Sequence, residues 1–499
     1  MLNTVLIRFI FGWFVVGLVM GGVNSSQAVN LSIKDDLNQD FVTEQNSSLL
    51  YLPITLNGNG SPVLKDTVFG LEMRRISGQE NLSAVTAADT AWVRRNGLLW
   101  SKVESVEGVY RWDQQESLEQ ELITAHQNGL RVILVVRATP EWAQKYSGVS
   151  CGPIREDKLA AFGEFLYQAV KRYSLPPYNV KYWEIWNEPD IDYNLVIEGR
   201  LDSNSQYGCW GETDDPYAGG GDYSEVLKVA YPRIKAADPE AQVVVGGMLM
   251  RCYPETCSFN DAHYFEGILH HHGANDGGKY FDLVSFHSYE YYFGRLGKYG
   301  NTWWRSSWNS TLTLVKKAEF LESVMAQYNV VKPIMVTETA LLCGSDGTEP
   351  ICLHPDFENT KAAYIAQSYA AALASGIKAN IWYSLTGNWR GNNLLDSELK
   401  PLPSYYAYAN VVKSLGKLSF NRELDEYPEV NGFEFEGENK LVWFAWSRVM
   451  DQDLNVRPVQ MNLPGTPSRI WDIYGQDVAV EGPSVTVTGI PLYIELSKP

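Results

Sequence analysis

From Val68 onward the chain alternates short apolar runs rich in β-branched residues with longer stretches whose apolar residues recur every three or four positions. That is the pattern of strands followed by amphipathic helices around a parallel sheet. Eight runs have strand character: VFGLEM from Val68, WVRRNG from Trp92, RVILVVR from Arg131, KYWEIWNE from Lys181, QVVVGGM from Gln242, DLVSFHSY from Asp282, PIMVTET from Pro333 and ANIWYSL from Ala379. Helical spacing between them predicts helices over 113–126, 156–173, 223–237, 311–328 and 360–375. In the fourth of these, Leu314, Ala318, Leu321 and Met325 make one apolar face for the sheet. Eight such units predict a (β/α)8 TIM barrel with insertions, spanning 63–417.

Beyond SYYAYANVVKSLG the period falls to two. GFEFEG, KLVWFAWS, PVQMNLP, RIWDIYG, SVTVTG and PLYIEL are short alternating runs separated by turn residues. They predict a small C-terminal antiparallel β-sandwich over 418–499, packed on the barrel in a scaffolding role. At the other end, residues 29–62 read as a polar linker, with YLPITL as a possible strand that could complete the sandwich. Residues 1–28 combine Arg8, the apolar run FIFGWFVVGLVM and small residues at Ser26 and Ala28, the signature of a cleaved secretory signal peptide. The apolar run is shorter than the roughly 20 residues a spanning helix needs, so no membrane span is expected in the mature protein.

Export places the six cysteines in an oxidising compartment, where disulfides are expected. Cys252 with Cys257 and Cys343 with Cys352 would close short loops and leave Cys151 for Cys209, although six cysteines allow 15 pairings. Zinc is the weaker reading of these residues. No C-x-x-C pair occurs, and the three histidines 270–272 fall at the end of a predicted helix, where imidazoles meet free carbonyls. GVSCG, 148–152, matches G-x-S-x-G but lacks the strand and helix that a nucleophile elbow requires around Ser150. The formal charge of −18 disfavours nucleic acid and anionic membranes and points to neutral substrates. With 16 Trp and 29 Tyr the chain has more aromatic surface than a core requires, an excess that often lines binding clefts.

In such a barrel, reactive groups sit at the C-terminal ends of the strands. The fourth strand ends in Asn187 and Glu188, the sixth in His287 and Tyr289, the seventh in Glu338, and the eighth in Trp382 and Tyr383. Two carboxyl groups facing each other across a cleft are the equipment of glycoside hydrolysis, one protonating the departing oxygen and the other attacking the anomeric carbon. Tyr289 and His287 would donate to Glu338. Glu184, deeper on the fourth strand, needs a buried partner such as Arg94 or Arg137 and is not a catalytic candidate. Glu72 and Arg74, after the first strand, are either substrate contacts or an ion pair at the rim. Rings after strands four and six, Trp210, Tyr291, Tyr292, Phe293, Trp303, Trp304 and Trp308, are candidates to line the cleft.

WEIWNEPD and VTET, with FHSY between them, resemble the retaining glycoside hydrolases of clan A, particularly families 39 and 5. WSKVESVEGVYRWD, ATPEWA and LKPLPSYYAY extend the likeness through the barrel. The resemblance implies Glu188 as general acid/base and Glu338 as nucleophile. It also implies Asn187 on the sugar 2-hydroxyl, Trp382 beneath the sugar, His287 and Tyr289 around it, and Arg94 near the nucleophile. No cofactor is implied. The expectation is a secreted or extracytoplasmic β-glycosidase acting on a neutral oligo- or polysaccharide by double displacement, with its carboxyl groups about 5 to 5.5 Å apart. A non-catalytic carbohydrate-binding barrel and a transglycosylase are the alternatives.

Overall fold

The eight barrel strands are Phe69–Glu72, Trp92–Leu99, Arg131–Arg137, Tyr182–Asn187, Gln242–Gly247, Val284–Tyr292, Ile334–Leu342 and Ala379–Trp382. Each predicted run therefore coincides with a strand, although the second, sixth and seventh strands extend two or three residues further. The computed structural model describes residues 67–203, 206–251, 263–273, 276–301, 312–452 and 455–498. The signal-peptide and linker readings, the YLPITL strand, the Cys252–Cys257 pair and Trp303, Trp304 and Trp308 lie outside the described residues.

Neighbouring strands pair in parallel from the first to the fifth, and the eighth joins both the first and the seventh. The sixth pairs with the seventh. Isolated bridges Val244 to Leu283 and Met248 to Phe286 close the circle between strands five and six. Helices Glu116–Gln127, Leu159–Tyr173, Gly220–Ala237, Thr313–Gln327 and Pro355–Ala374 cover the outside. Two of them begin earlier than periodicity predicts, one after the left-handed Gly219 and one with Pro355 in its first turn, positions set by backbone chemistry and not by apolar spacing.

Inside the barrel the two-residue period of each strand stacks side chains in layers. Trp92, Ile133, Val244, Met335 and Ile381 form an apolar plug at the closed end. Two residues further along their strands, Arg94 and Glu184 replace that plug with charge, and both are fully buried. The site stands on this layer.

The C-terminal region is a six-stranded antiparallel sheet, ordered Ser419–Glu423, Val430–Glu436, Lys440–Ser447, Leu492–Ser497, Arg469–Trp471 and Asp477–Val478, with a two-stranded sheet of Val459–Asn462 and Ser484–Val487. Along Lys440–Ser447 the alternation serves two cores. Trp443 and Ala445 pack with Met461, Val485 and Val487 between the sheets, whereas Val442, Phe444 and Trp446 join the barrel core. The strand Ser419–Glu423 was not predicted because it is an exposed edge with no apolar alternation to read.

Candidate active site

Trp186, near the end of the fourth strand, and Glu188, just past it, have left-handed backbone conformation, with φ of 73° and 48°. Such values are rare for side chains of this size and cluster where a chain is bent to place a functional group. The bend is held on both sides. Glu188 N donates to Gly247 O (2.9 Å), and Trp186 Nε1 donates to Cys151 O (2.7 Å). Cys151 is joined to Cys209 by a disulfide, and Trp210 N, next along, donates to Pro189 O (2.9 Å). The loops after strands three and four are thus tied together beside the end of strand four.

Glu188 and Glu338 face each other. A carboxylate oxygen of each and a ring nitrogen of His287 all lie within 4.8 Å of one another. Their partners differ. Glu338 is held from both sides, by Arg94 Nη1 on Oε1 (2.5 Å) and by the Tyr289 hydroxyl on Oε2. Among the described residues the Glu188 carboxyl has only the His287 ring as a side-chain partner, Nδ1 to Oε1 at 2.9 Å. Burial therefore dominates and pushes the Glu188 carboxyl up to about 7, with Arg94 and Lys317 opposing. Burial also takes His287 down to about 4, so its imidazole is neutral. His287, expected to donate to Glu338, sits closer to Glu188, 2.9 Å from its Oε1 against 3.5 Å from Glu338 Oε2.

Arg94 is the hub beneath the pair. Its guanidinium donates to both oxygens of Glu184 (2.8 and 3.1 Å), to Glu72 Oε2 (2.8 Å), to Glu338 and to Asn187 Oδ1 (2.5 Å). Burial works against its charge, but Glu184, Glu72 and Glu338 outweigh burial and hold its pKa well above the usual arginine value. Glu184 also accepts from Gly247 N (2.8 Å) and Thr337 Oγ1 (3.2 Å), so this deep carboxylate is fully engaged in structure. Of the two partners expected for it, Arg94 is the one that reaches it. Asn187 is oriented by Arg94 and by its own bond to Gln206 O (3.1 Å). Glu72, by contrast, is raised to about 8, first by burial and then by Glu338 and Glu184 competing for the same cation.

Two expectations about aromatic residues need correction. Trp382 is fully buried, its indole N–H bonded to Asn392 O (2.9 Å) and its ring 6.0 Å from Tyr364 on the helix outside the strand. Successive residues of a strand face opposite sides, so Tyr383 and not Trp382 turns to the cleft. Trp210 is likewise core, edge-on to Trp186 and packed by Tyr223. The exposed ring that sequence reasoning overlooked is Trp389, which is 47% accessible and 5.7 Å from Tyr289 and 5.8 Å from Tyr383. The rule that loops after barrel strands carry the site, applied to the loop beyond strand eight, would have found it.

The open cleft beside the carboxyl pair has a volume of about 660 Å³ and is walled by the end of strand one and the loop after it, by strand two, by Gln206 and by the loop after strand eight, among them Glu72, Arg74, Asn96, Tyr383 and Trp389. Two trios among the described residues could ligate a metal ion: Glu188, His287 and Glu338 in the site, and Glu225, His271 and His272 on the surface. In the first, Arg94 and Tyr289 already occupy both oxygens of Glu338. In the second, His271 Nε2 is bonded to Glu225 (3.0 Å), so two of the three consecutive histidines meet a neighbouring carboxylate where helix-end carbonyls were expected.

No family model matches this chain, and no curated protein matches it in sequence. Solved structures do match in shape. A family 39 glycoside hydrolase from Bacteroides cellulosilyticus superposes with a TM-score of 0.61 at 18% identity, covering 86% of this chain and 80% of its own. A monomeric β-xylosidase from Caulobacter crescentus gives 0.54 at 16% identity over 88% and 97%. A family 30 subfamily 8 xylanase from Clostridium acetobutylicum gives 0.55 at 13% over 87% and 96%. At these identities the likeness lies in the fold: the chain is a (β/α)8 barrel with a C-terminal antiparallel β-sandwich, built as glycoside hydrolases of families 39 and 30 are built.

Proposed function

We propose that the protein is an exported retaining glycoside hydrolase acting on an oligo- or polysaccharide, with Glu338 as nucleophile and Glu188 as general acid/base. The observation that carries this reading is the approach of the two carboxylates to within 4.8 Å from separate strands. Retention uses carboxyl groups about 5–5.5 Å apart, whereas inversion leaves about 6.5–9.5 Å for an intervening water. Their unequal surroundings match unequal tasks. Glu188, raised to about 7, holds a proton for the leaving oxygen. Glu338, kept in place by Arg94 and Tyr289, has its lone pairs aimed for attack on the anomeric carbon. The ester so formed would be released by a water that Glu188, now ionised, deprotonates. Export is supported by the bridges Cys151–Cys209 and Cys343–Cys352. The expectation of a neutral sugar rests on the charge of the whole chain, and the cleft residues argue against it below.

The test uses aryl β-glycosides. Glu338→Gln is expected to abolish turnover, and Glu188→Ala to lower the rate on poor leaving groups by about 10²–10⁴, with azide restoring a glycosyl product. Wild-type activity should fall as pH rises through about 7, where Glu188 loses its proton, and Glu188→Ala should lack that limb. Unimpaired hydrolysis by both variants would sink the assignment.

A further inference from the structure

The chain carries a formal charge of −18, yet the cleft beside the carboxyl pair is edged with cations. Arg74, Arg75 and Arg95 all stand on its wall. Arg95 is neutralised from outside the cleft by Glu121, Nε to Oε2 at 2.6 Å and Nη2 to Oε1 at 3.1 Å. Arg74 and Arg75 are exposed and form no ion pair or side-chain hydrogen bond with any described residue. Arg74 reaches from the loop after strand one toward the loop after strand eight, its Cδ lying 3.8 Å from where a Cβ on Gly387 would be.

The acids on the same wall do not cancel them. Glu72 is bound to Arg94 below and, held near 8 by burial, keeps its proton at neutral pH. Glu80 accepts the Thr386 hydroxyl at 2.6 Å and is the one acid of the wall left to face the two guanidiniums. A neutral sugar could take only single hydrogen bonds to its hydroxyls from such a pair, whereas a guanidinium fork matches a carboxylate or sulfate with two charge-assisted bonds. Low-dielectric cleft walls also concentrate the local field against the charge of the whole molecule. Glu72 and Glu338 share one nitrogen of Arg94, which places Arg74 and Arg75, two and three residues past Glu72, near the first sugar beyond the nucleophile.

We propose that this cleft takes an acidic glycan, Arg74 and Arg75 holding a carboxylate or sulfate of a sugar next to the cleavage point while Trp389 stacks on its face. It rests on the hydrolase reading only for where the cleavage point lies.

Binding by calorimetry and cleavage by product analysis are measured on the full chain, wild type and Arg74→Gln/Arg75→Gln. The probes are a β-linked glucuronate tetramer, cellotetraose as its carboxyl-reduced form, and a sulfated cellotetraose. At least one acidic probe is expected to bind about tenfold or more tighter than cellotetraose, with the advantage shrinking as salt rises and disappearing in the double variant. Which acidic probe gains separates carboxylate from sulfate. Equal affinity for all three probes, or an acid preference that survives in the double variant, overturns the inference. Cleavage of cellotetraose without any acid preference would overturn it too while leaving the hydrolase reading intact. Acid-selective binding lost in the double variant, with no probe cleaved, would support it and count against hydrolysis.

Discussion

Arg94 serves three glutamates and one amide from a fully buried position, an arrangement that no single ion pair describes. Its removal would leave Glu184 and Glu338 without their counter-ion inside the barrel, and breaking a buried charge network from the cationic side costs about 3–5 kcal/mol. Arg94→Ala should lose stability of that order in denaturant unfolding; a loss below about 1 kcal/mol, the range of surface pairs, would show that the carboxylates find other partners. The role of Arg94 was legible in part, because a charged residue on a strand that otherwise fills a barrel must be paired. What could not be read was which of several acids it would reach, since that depends on rotamers and on how three strands line up. Trp382 shows the same limit. The type of residue was right for a sugar platform, but a step of one along the strand decides its face, and that step places Tyr383 in the cleft.

Elements place the site through close backbone approach as much as through side chains. Gly247, at the end of strand five, lies directly against the His287 ring and the Thr337 hydroxyl, with no room for a Cβ. Lys317, from helix Thr313–Gln327, fixes the other side by donating to His287 O and Leu249 O, each at 2.7 Å. Gly247→Ala would push the imidazole off Glu188, and displacements of about 1 Å in a catalytic constellation cost about 10²-fold. The expected result is a drop of that size in kcat/KM with the circular dichroism spectrum unchanged; wild-type kinetics would mean that His287 does not position Glu188. The barrel strands were plain as short apolar runs, because both faces of each are buried, and helices such as Thr313–Gln327 were plain from one apolar stripe. Gly247 was hidden, since a glycine reads as a weak strand residue until the ring it accommodates is known.

Across the whole molecule, the C-terminal sheets and the barrel share one continuous core through helix Pro355–Ala374, which is buried on nearly its whole surface. Trp471 is one of the residues joining them, stacked on Tyr493 at 5.3 Å and donating to Ser414 Oγ at 3.1 Å. Trp471→Ala should cost about 3–5 kcal/mol and lower the melting temperature of the barrel along with that of the sheets, in a single calorimetric transition. Two separated transitions would mean that the halves fold independently. The last consequence concerns Glu72. Part of what keeps it protonated is the negative charge of Glu338, with which it competes for Arg94. In the proposed cycle, esterification of Glu338 would remove that charge and make Glu72 a stronger acid than before. Because Glu188 gives up its proton in the same step, the carboxyl pair would hold one negative charge before and after, and Arg94 beneath it would act as a fixed counterweight while that charge passes from one carboxyl to the other.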